Sequence, residues 1–470
     1  MNWKTIFRSL KNRGMQKRLL IVLGIIVTYR FLAHVPIPLA EPTQLKEVIN
    51  SVVSGTDFGG FVNLLSGGAL ASFSIVLVGL TPFITASIIS QLLTKAIPRM
   101  EELHKDGESG RRKINQWTRM STIPLAIVQS IAFIFILRQT VLAGNTTVLA
   151  DPTALEWIVA VTAMTAGATL LMWLGELITE QGIGNGISLL IFAGIISQLP
   201  TMFASLGGSL FDTSAGGLGI FNWFVVPLNP TVFWIILGLL ASSLALLYLL
   251  VKINEAQRII TINYAKRVHG NTNYGGIKSV LPIKLIAAGV IPVIFAVAFL
   301  SLPAFAGQVI KAAGNPAFTD LANNLIVWFQ APNPGSFTGS ELQAFIYPLT
   351  YFFLVIFFTY MYTGIVFNSH EIAENLQKQG GFIENIRPGK TTQKFLATTM
   401  NRLILFGALV LGFVAITPFI GEFVIFQTLG VTNTNLSIGG TGILIVVSVA
   451  LEVLRQINSR ALMVTYDDYK

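Results

Sequence analysis

The chain has 470 residues, 53% of them hydrophobic and only 11% charged, with a formal net charge of +9. A mean hydropathy of +0.68 excludes an ordinary soluble domain and points to a polytopic membrane protein. The absence of cysteine excludes disulfides and thiolate metal sites, and four histidines scattered at 34, 104, 269 and 370 argue against a histidine metal centre.

The basic head, residues 1–18, leads into an apolar run from Leu19 to Phe31 with no Ala-x-Ala site, so a first span is expected and not a cleaved signal. The next stretch organises the chain. Phe58 to Thr94 carries no charge, and a helix needs about 20 apolar residues to cross the hydrocarbon core. Ile75 to Leu93 supplies one such span. Phe61 to Ala71 is about half as long, and the Gly67-Gly68 pair weakens its helix. A half-helix that dips into the membrane is therefore expected there, with a true span after it. Backbone of that kind is tolerated at depth only inside protein or beside a water-filled cavity.

Spans are expected at 19–36, 74–94, 120–138, 156–176, 184–200, 231–252, 284–303, 342–368, 400–421 and 437–454. The fold class is thus an all-α membrane protein of ten transmembrane helices with a re-entrant plug half-helix. Twenty-seven of the thirty-one Lys and Arg residues fall in the head, the tail and alternate connections; the exceptions are Arg30, Lys46, Arg138 and Lys311. This asymmetry places both termini in the cytoplasm. Five spans precede the connection 201–230 and five follow it, so the halves 19–200 and 231–458 enter from opposite sides, as inverted repeats require. The connections 201–230 and 304–341, rich in Gly, Pro, Asn and Ser, are expected to be loops with a short helix.

Two basic connections exceed turn length. In 252–284, the alternating Arg258–Tyr264 segment followed by Gly and Asn predicts a hairpin. In 369–399, an amphipathic helix breaks at Gly380-Gly381 and runs into Arg387-Pro388-Gly389-Lys390, where Pro388 and the following turn present Arg387 outward.

Several motifs do not carry the chemistry they suggest. Gly389-Lys390-Thr391 mimics the end of a phosphate loop, but the first glycine would fall at Glu384 and no buried strand precedes it. Gly182, Gly184 and Gly186 miss dinucleotide spacing and read as a tight helix entry. Gly107 to Lys113 reads as a solvated basic turn, with a basic patch for an acidic partner as the functional reading. More telling, the spans hold essentially no ionisable residue between their ends, unlike ion-coupled transporters. The mid-span residues Leu80, Ile84, Ile187, Ile191, Ile294 and Ile445 form either lipid-facing surface or, if they converge, a hydrophobic constriction that stops ions by dewetting. From the residues alone, an inverted-repeat transporter for an apolar solute and a poreless membrane scaffold remain as rivals to a closed pore.

The sequence also resembles the SecY family of protein-conducting channels, from Arg18 to about Arg455. The resemblance rests on LSGGAL (Leu65–Leu70), TASIISQLL (Thr85–Leu93), ESGRRKI (Glu108–Ile114), MWLGE (Met172–Glu176) and GIGNGIS (Gly182–Ser188). It continues through NYAKR (Asn263–Arg267), AGVIP (Ala288–Pro292) and IRPG (Ile386–Gly389). The resemblance implies a clamshell of two halves that opens to lipid between the second and seventh spans, in a bacterial plasma membrane. It implies a non-enzymatic channel without cofactor, which passes unfolded secretory chains and releases transmembrane segments sideways. Phe61, Asn63, Leu64, Leu65, Ser66, Gly67, Gly68, Ala69 and Leu70 match the plug, and the six mid-span residues match the pore ring. Thr85, Ile88, Gln91, Gln129 and Ile291 fall at the lateral gate. Arg258, Lys266, Arg267, Arg387, Pro388, Gly389 and Lys390 fall in loops that dock the ribosome and the SecA motor. SecE and SecG are the implied partner subunits, signal peptides and nascent chains the implied cargo, and no DNA is implied. Departures are Ile286, where family members commonly carry Asn, the insert-like connections 201–230 and 304–341, and the tail after Arg460.

Overall fold

The computed structural model describes residues 12–37, 66–69, 72–143, 153–211, 218–220, 224–226, 229–264, 267–269, 272–274, 278–286, 289, 291–313, 315–329, 343–429, 445–447 and 449–457. Helices dominate. They are α1 (Arg13–Leu32), α2 (Thr81–Ala96), α3 (Pro98–Lys105), α4 (Glu108–Ala143), α5 (Ala154–Gln181), α6 (Gly186–Leu210), α7 (Pro230–Glu255), α8 (Ile291–Ala312), α9 (Thr319–Phe329), α10 (Gln343–Val366), α11 (Ser369–Lys378) and α12 (Lys390–Leu429). Residues 445–447 and 449–457 are helical as well. Among the described residues, six helical segments are long and apolar enough to cross a membrane, within α4, α5, α7, α8, α10 and α12.

The boundaries depart from the sequence reading at four places. Ile75 to Leu80 form successive turns, and α2 begins only at Thr81, with Pro82 in its first turn. Gly79 takes a left-handed φ of 62°, which a continuous span from residue 74 could not accommodate. Gly107 to Lys113 is not a turn throughout: Gly107 turns at φ 74° and α4 starts at Glu108, so the basic run is the first turn of a 36-residue helix. The close approach of Gly110 to Leu103 permits this, since a Cβ there would lie 2.7 Å from the Leu103 carbonyl carbon. The seventh span starts at Ile291 and not near 284, so Ile286 lies outside the helix. Lastly, the span expected at 400–421 is part of a helix of 40 residues.

The chain divides into two compact units. The first comprises Met1–Leu240, Val297–Pro348 and Pro418–Lys470. Its core joins Phe73, Leu77, Phe133, Ile134 and Met164 around the turns that precede α2. Gly167 of α5 lies under those turns: a Cβ there would come within 2.7 Å of the Ile75 carbonyl carbon. Small residues at such crossings let backbones approach and gain dispersion contacts that lipid cannot supply. Threonines inside the helices close their hydroxyls onto the preceding turn, as Thr122 does on Thr118, Thr165 on Val161 and Thr169 on Thr165. These three hydroxyls therefore present no unpaired donor to an apolar surround. A hairpin, β1 (Leu218–Ile220) with β2 (Phe224–Val226), lies in the connection expected to be loop.

The second unit comprises Ala241–Ala296 and Leu349–Thr417. The expected hairpin is present: β3 (Gln257–Tyr264) pairs antiparallel with β6 (Lys278–Lys284), and β4 (Arg267–His269) with β5 (Thr272–Tyr274) at its tip. A further strand, β7 (Gly381–Ile383), comes from the other long connection and completes the order β6-β3-β7. One face of this sheet packs Ile260, Ile283 and Ile383 against Leu396, Met400 and Ile404 of α12 and Ala373 of α11.

Candidate functional site

The segment after α1 folds back on that helix. Ile37 donates to the Phe73 carbonyl at 2.9 Å, Ile75 donates to Val35 at 3.0 Å, and Ser72 Oγ donates to Ala33 at 2.6 Å. Ahead of this bridge, Ser66 to Ala69 form a turn in which Gly67 and Gly68 take φ of 67° and 86°. Such values favour glycine because they hold no Cβ in the way. Tyr29 donates its hydroxyl to the Ser66 carbonyl at 3.0 Å, and Arg30 Nη1 donates to the Gly67 carbonyl. Gly67 meets Gly194 of α6 so closely that a Cβ on Gly67 would lie 2.8 Å from the Gly194 Cα. Gly68 faces Gln198 one turn further on. Ser66 and Ala69 are buried. Phe61, Asn63, Leu64, Leu65 and Leu70 lie outside the described residues.

The aliphatic set occupies helix beginnings. Leu80 is the N-cap residue of α2, and Ile84 donates to its carbonyl at 3.0 Å one turn on. Ile187 and Ile191 fall in the first turns of α6, whose entry is fixed by Asn185 accepting from the amides of Ile187 and Ser188. Ile187 leans on α5, where its Cγ1 would stand 3.2 Å from any Cβ placed on Gly175. Ile294 is the fourth residue of α8, and Ile445 is the first described residue of the last helical stretch. That stretch also sets Val453 against Gly184 at the entry to α6. All six except the half-buried Ile187 are buried.

The gate candidates behave differently from one another. Thr85 is buried and closes onto Thr81 within its own helix, so it offers no free donor. Gln91 donates to Ser87 Oγ at 3.2 Å, while its Oε1 is buried without a partner among the described residues. Ile88 is buried on the same helix, one turn from Gln91, and Gln129 is buried on α4. Thr118 of α4 donates to Ser90 of α2 at 2.9 Å and ties these two helices. Ile291 is half-buried at the start of α8. Ile286 packs toward Gly407 of α12, whose Cβ would lie 3.6 Å from Ile286 Cγ1. An apolar residue suits that contact.

The basic loop is built on the sheet of the second unit. Asn368 caps α11 by accepting from the amides of His370 and Glu371, and Gly380 (φ 72°) turns the chain into β7. Asn385 (φ 61°) and Gly389 (φ 96°) then shape the projection between β7 and α12. Thr392 Oγ1 donates to the Arg387 carbonyl at 2.9 Å, which fixes the backbone while the Arg387 side chain is exposed. Pro388 and Lys390 are exposed beside it, and Arg258 is exposed at the start of β3. Arg267 lies in β4, and Lys266 is outside the described residues.

Three relationships escape the sequence reading: the Tyr29 and Arg30 bonds to the turn, the Gly67–Gly194 approach, and β7. Only Arg30 left a signal, as one of four cations in the wrong set of connections. An ion pair between Arg119 of α4 and Glu176 of α5 is a fourth, and it accounts for an acid at a span end.

Apolar helices with internally closed hydroxyls, joined to a hydrophilic sheet-backed loop pair, define a multi-pass helical membrane protein. The SecY family model matches residues 74–454. Protein translocase subunit SecY of Streptomyces scabiei is 38% identical over 98% of both chains, and that of Corynebacterium glutamicum is 39% identical over 98% of both. The chain belongs to the SecY family. Among solved structures it resembles a SecY channel studied for its plug domain (TM-score 0.63, 18% identity, 94% of this chain and 91% of that one). It also resembles Sec61 from the canine ribosome-channel complex (TM-score 0.58, 18% identity, the same coverages).

Proposed function

We propose that this chain is the pore-forming subunit of a bacterial plasma-membrane channel that passes unfolded secretory proteins and releases transmembrane segments into lipid. Ten spans in two inverted halves form its clamshell, with both termini cytoplasmic and Phe61 to Leu70 as the plug. The observation that carries this reading is the register along α6. Ile187, Ile191, Gly194 and Gln198 follow one helical stripe. The Ser66–Gly68 turn meets that stripe at Gly194 and Gln198, about 4.5 Å of helix rise beyond Ile191. A segment seated there stoppers the constriction formed by Leu80, Ile84, Ile187, Ile191, Ile294 and Ile445. Dewetting at that constriction blocks ions without any ionisable group.

Energy comes from a partner. The exposed Arg258, Arg387, Pro388 and Lys390, with Gly389 shaping the loop and Arg267 in β4, together with Lys266, are the docking group for the SecA motor or the ribosome. Sec61 and Ssh1, both similar in fold to this chain, occur in complexes with ribosomes. SecE and SecG complete the membrane assembly.

The test is reconstitution with SecE and SecA, following a preprotein into sealed vesicles. Protected full-length preprotein is the expected result. Its absence, together with a plug-deleted variant that is electrically silent in planar bilayers, would favour a transporter.

A further inference from the structure

We propose that Tyr29 and Arg30 are positioning residues that latch the Ser66-Gly67 turn against α6, so that their two bonds set how readily the resting channel unseals. The proposal rests on the channel reading above. Two consecutive residues in the last turn of α1 donate to two consecutive carbonyls of the turn. Those carbonyls belong to a turn with left-handed glycines, and buried backbone carbonyls need partners. In a water-poor setting an unmet carbonyl is costly, so the donors decide whether the turn stays.

The two contacts are unlike in strength. Tyr29 is almost wholly buried, at 2% exposure, and supplies a neutral donor. Arg30 supplies a charged one, and charge-assisted bonds are about twice as strong as neutral ones. Its position also runs against the charge asymmetry that governs the rest of the chain, which is explained if its work is local. Behind the turn, Gly67 and Gly194 both lack the Cβ that would hold the backbones apart. A Cβ on Gly67 would lie 2.8 Å from Gly194 Cα and 3.2 Å from Arg30 Nη1, and one on Gly194 would lie 3.1 Å from the Tyr29 hydroxyl, so the two donors and the bare backbone of α6 close on the turn at one point. To move it, both carbonyls must be surrendered together.

The chain has no cysteine, so Ser66→Cys introduces a lone thiol at a site 2% exposed. The channel carrying it, reconstituted with its partner subunits, is treated with a membrane-impermeant maleimide. Adding a preprotein should speed labelling, which reports that the turn moves during transport. In resting vesicles at matched expression, Arg30→Met should label at least tenfold faster than the parent. Tyr29→Phe should label severalfold faster, and Arg30→Lys should fall between Arg30→Met and the parent. Unchanged labelling in Arg30→Met and Tyr29→Phe, while preprotein still speeds the parent, overturns the latch and leaves the channel standing. No acceleration by preprotein in a parent that also fails to import overturns both. Should Arg30→Met not insert, Tyr29→Phe and Arg30→Lys decide the matter alone.

Discussion

Ile262 of β3 stands opposite Ile383 of β7, and this pairing ties the connection bearing Arg258 to the connection bearing Arg387. Both side chains are buried, at 3% and 6% exposure. The two basic loops are therefore one structural object and not independent hairpins. Gly381, two residues before Ile383, leaves little room: a Cβ there would meet Tyr264 at 3.1 Å and Ile262 at 3.2 Å. Gly381→Val is expected to unpair β7 and lower motor-driven import severalfold with little change in membrane insertion. Import assays on vesicles with equal amounts of channel check it, and wild-type import would separate the sheet from docking.

Arg387 separates charge from shape. Its guanidinium offers a rigid fork suited to a carboxylate or phosphate, whereas a lysine carries the same charge without the fork. Arg387→Lys is expected to slow import about tenfold, the equivalent of one charge-assisted hydrogen bond of about 1.5 kcal/mol. Arg387→Glu should abolish it by turning attraction into repulsion. If Arg387→Lys imports at the wild-type rate, the residue serves topology alone.

Much of this was legible in the sequence, and the reason lies in what each feature depends on. The hairpin from Arg258 and the amphipathic α11 follow local periodicity. The aliphatic residues expected at span centres instead sit at helix beginnings, as Leu80, Ile84, Ile187 and Ile294 do, because hydropathy does not locate where a helix starts. The start of α2 was missed because hydropathy does not distinguish helix from buried turns, and only Gly79 and Pro82 mark the difference. β7 has no signal of its own because Gly381 to Ile383, starting inside the Gly-Gly break, become a strand only when β3 is there to receive them. The seat of Gly67 on Gly194 joins residues far apart in the chain, and no pattern in either segment announces the other.

The proposed aliphatic constriction yields a conductance prediction. Replacing Ile84, Ile191 and Ile445 together with Asn should wet the constriction and raise resting ion leak, with signal-sequence discrimination relaxed. A buried amide without a partner costs about 1–3 kcal/mol by mutational data, so water should enter with the side chains. Planar-bilayer recording of the triple variant is the measurement. Parental conductance would remove these residues from the pore wall.

For the lateral route, photocrosslinkers at Ile88 and at Ile291 should each capture the apolar core of a stalled signal peptide. Leaving water for lipid gains that core about 0.8 kcal/mol per buried CH₂. Gln91 carries a buried acceptor without a partner among the described residues, so Gln91→Leu should lower capture at Ile88 less than a charge at the same place. Capture confined to α6 and the helical residues 445–447 and 449–457 would refute this route.

The length of α12 has a mechanical meaning. Forty residues of unbroken helix make a rod of about 60 Å, twice the thickness of the hydrocarbon core at about 30 Å. It starts three residues after Arg387, and its first turns are clasped by the sheet through Leu396, Met400 and Ile404. Within the rod, Pro418 lacks an amide, which removes one rung of the ladder and lowers the bending resistance. Bending of α12 is therefore expected to concentrate at that residue and not along the turns the sheet clasps.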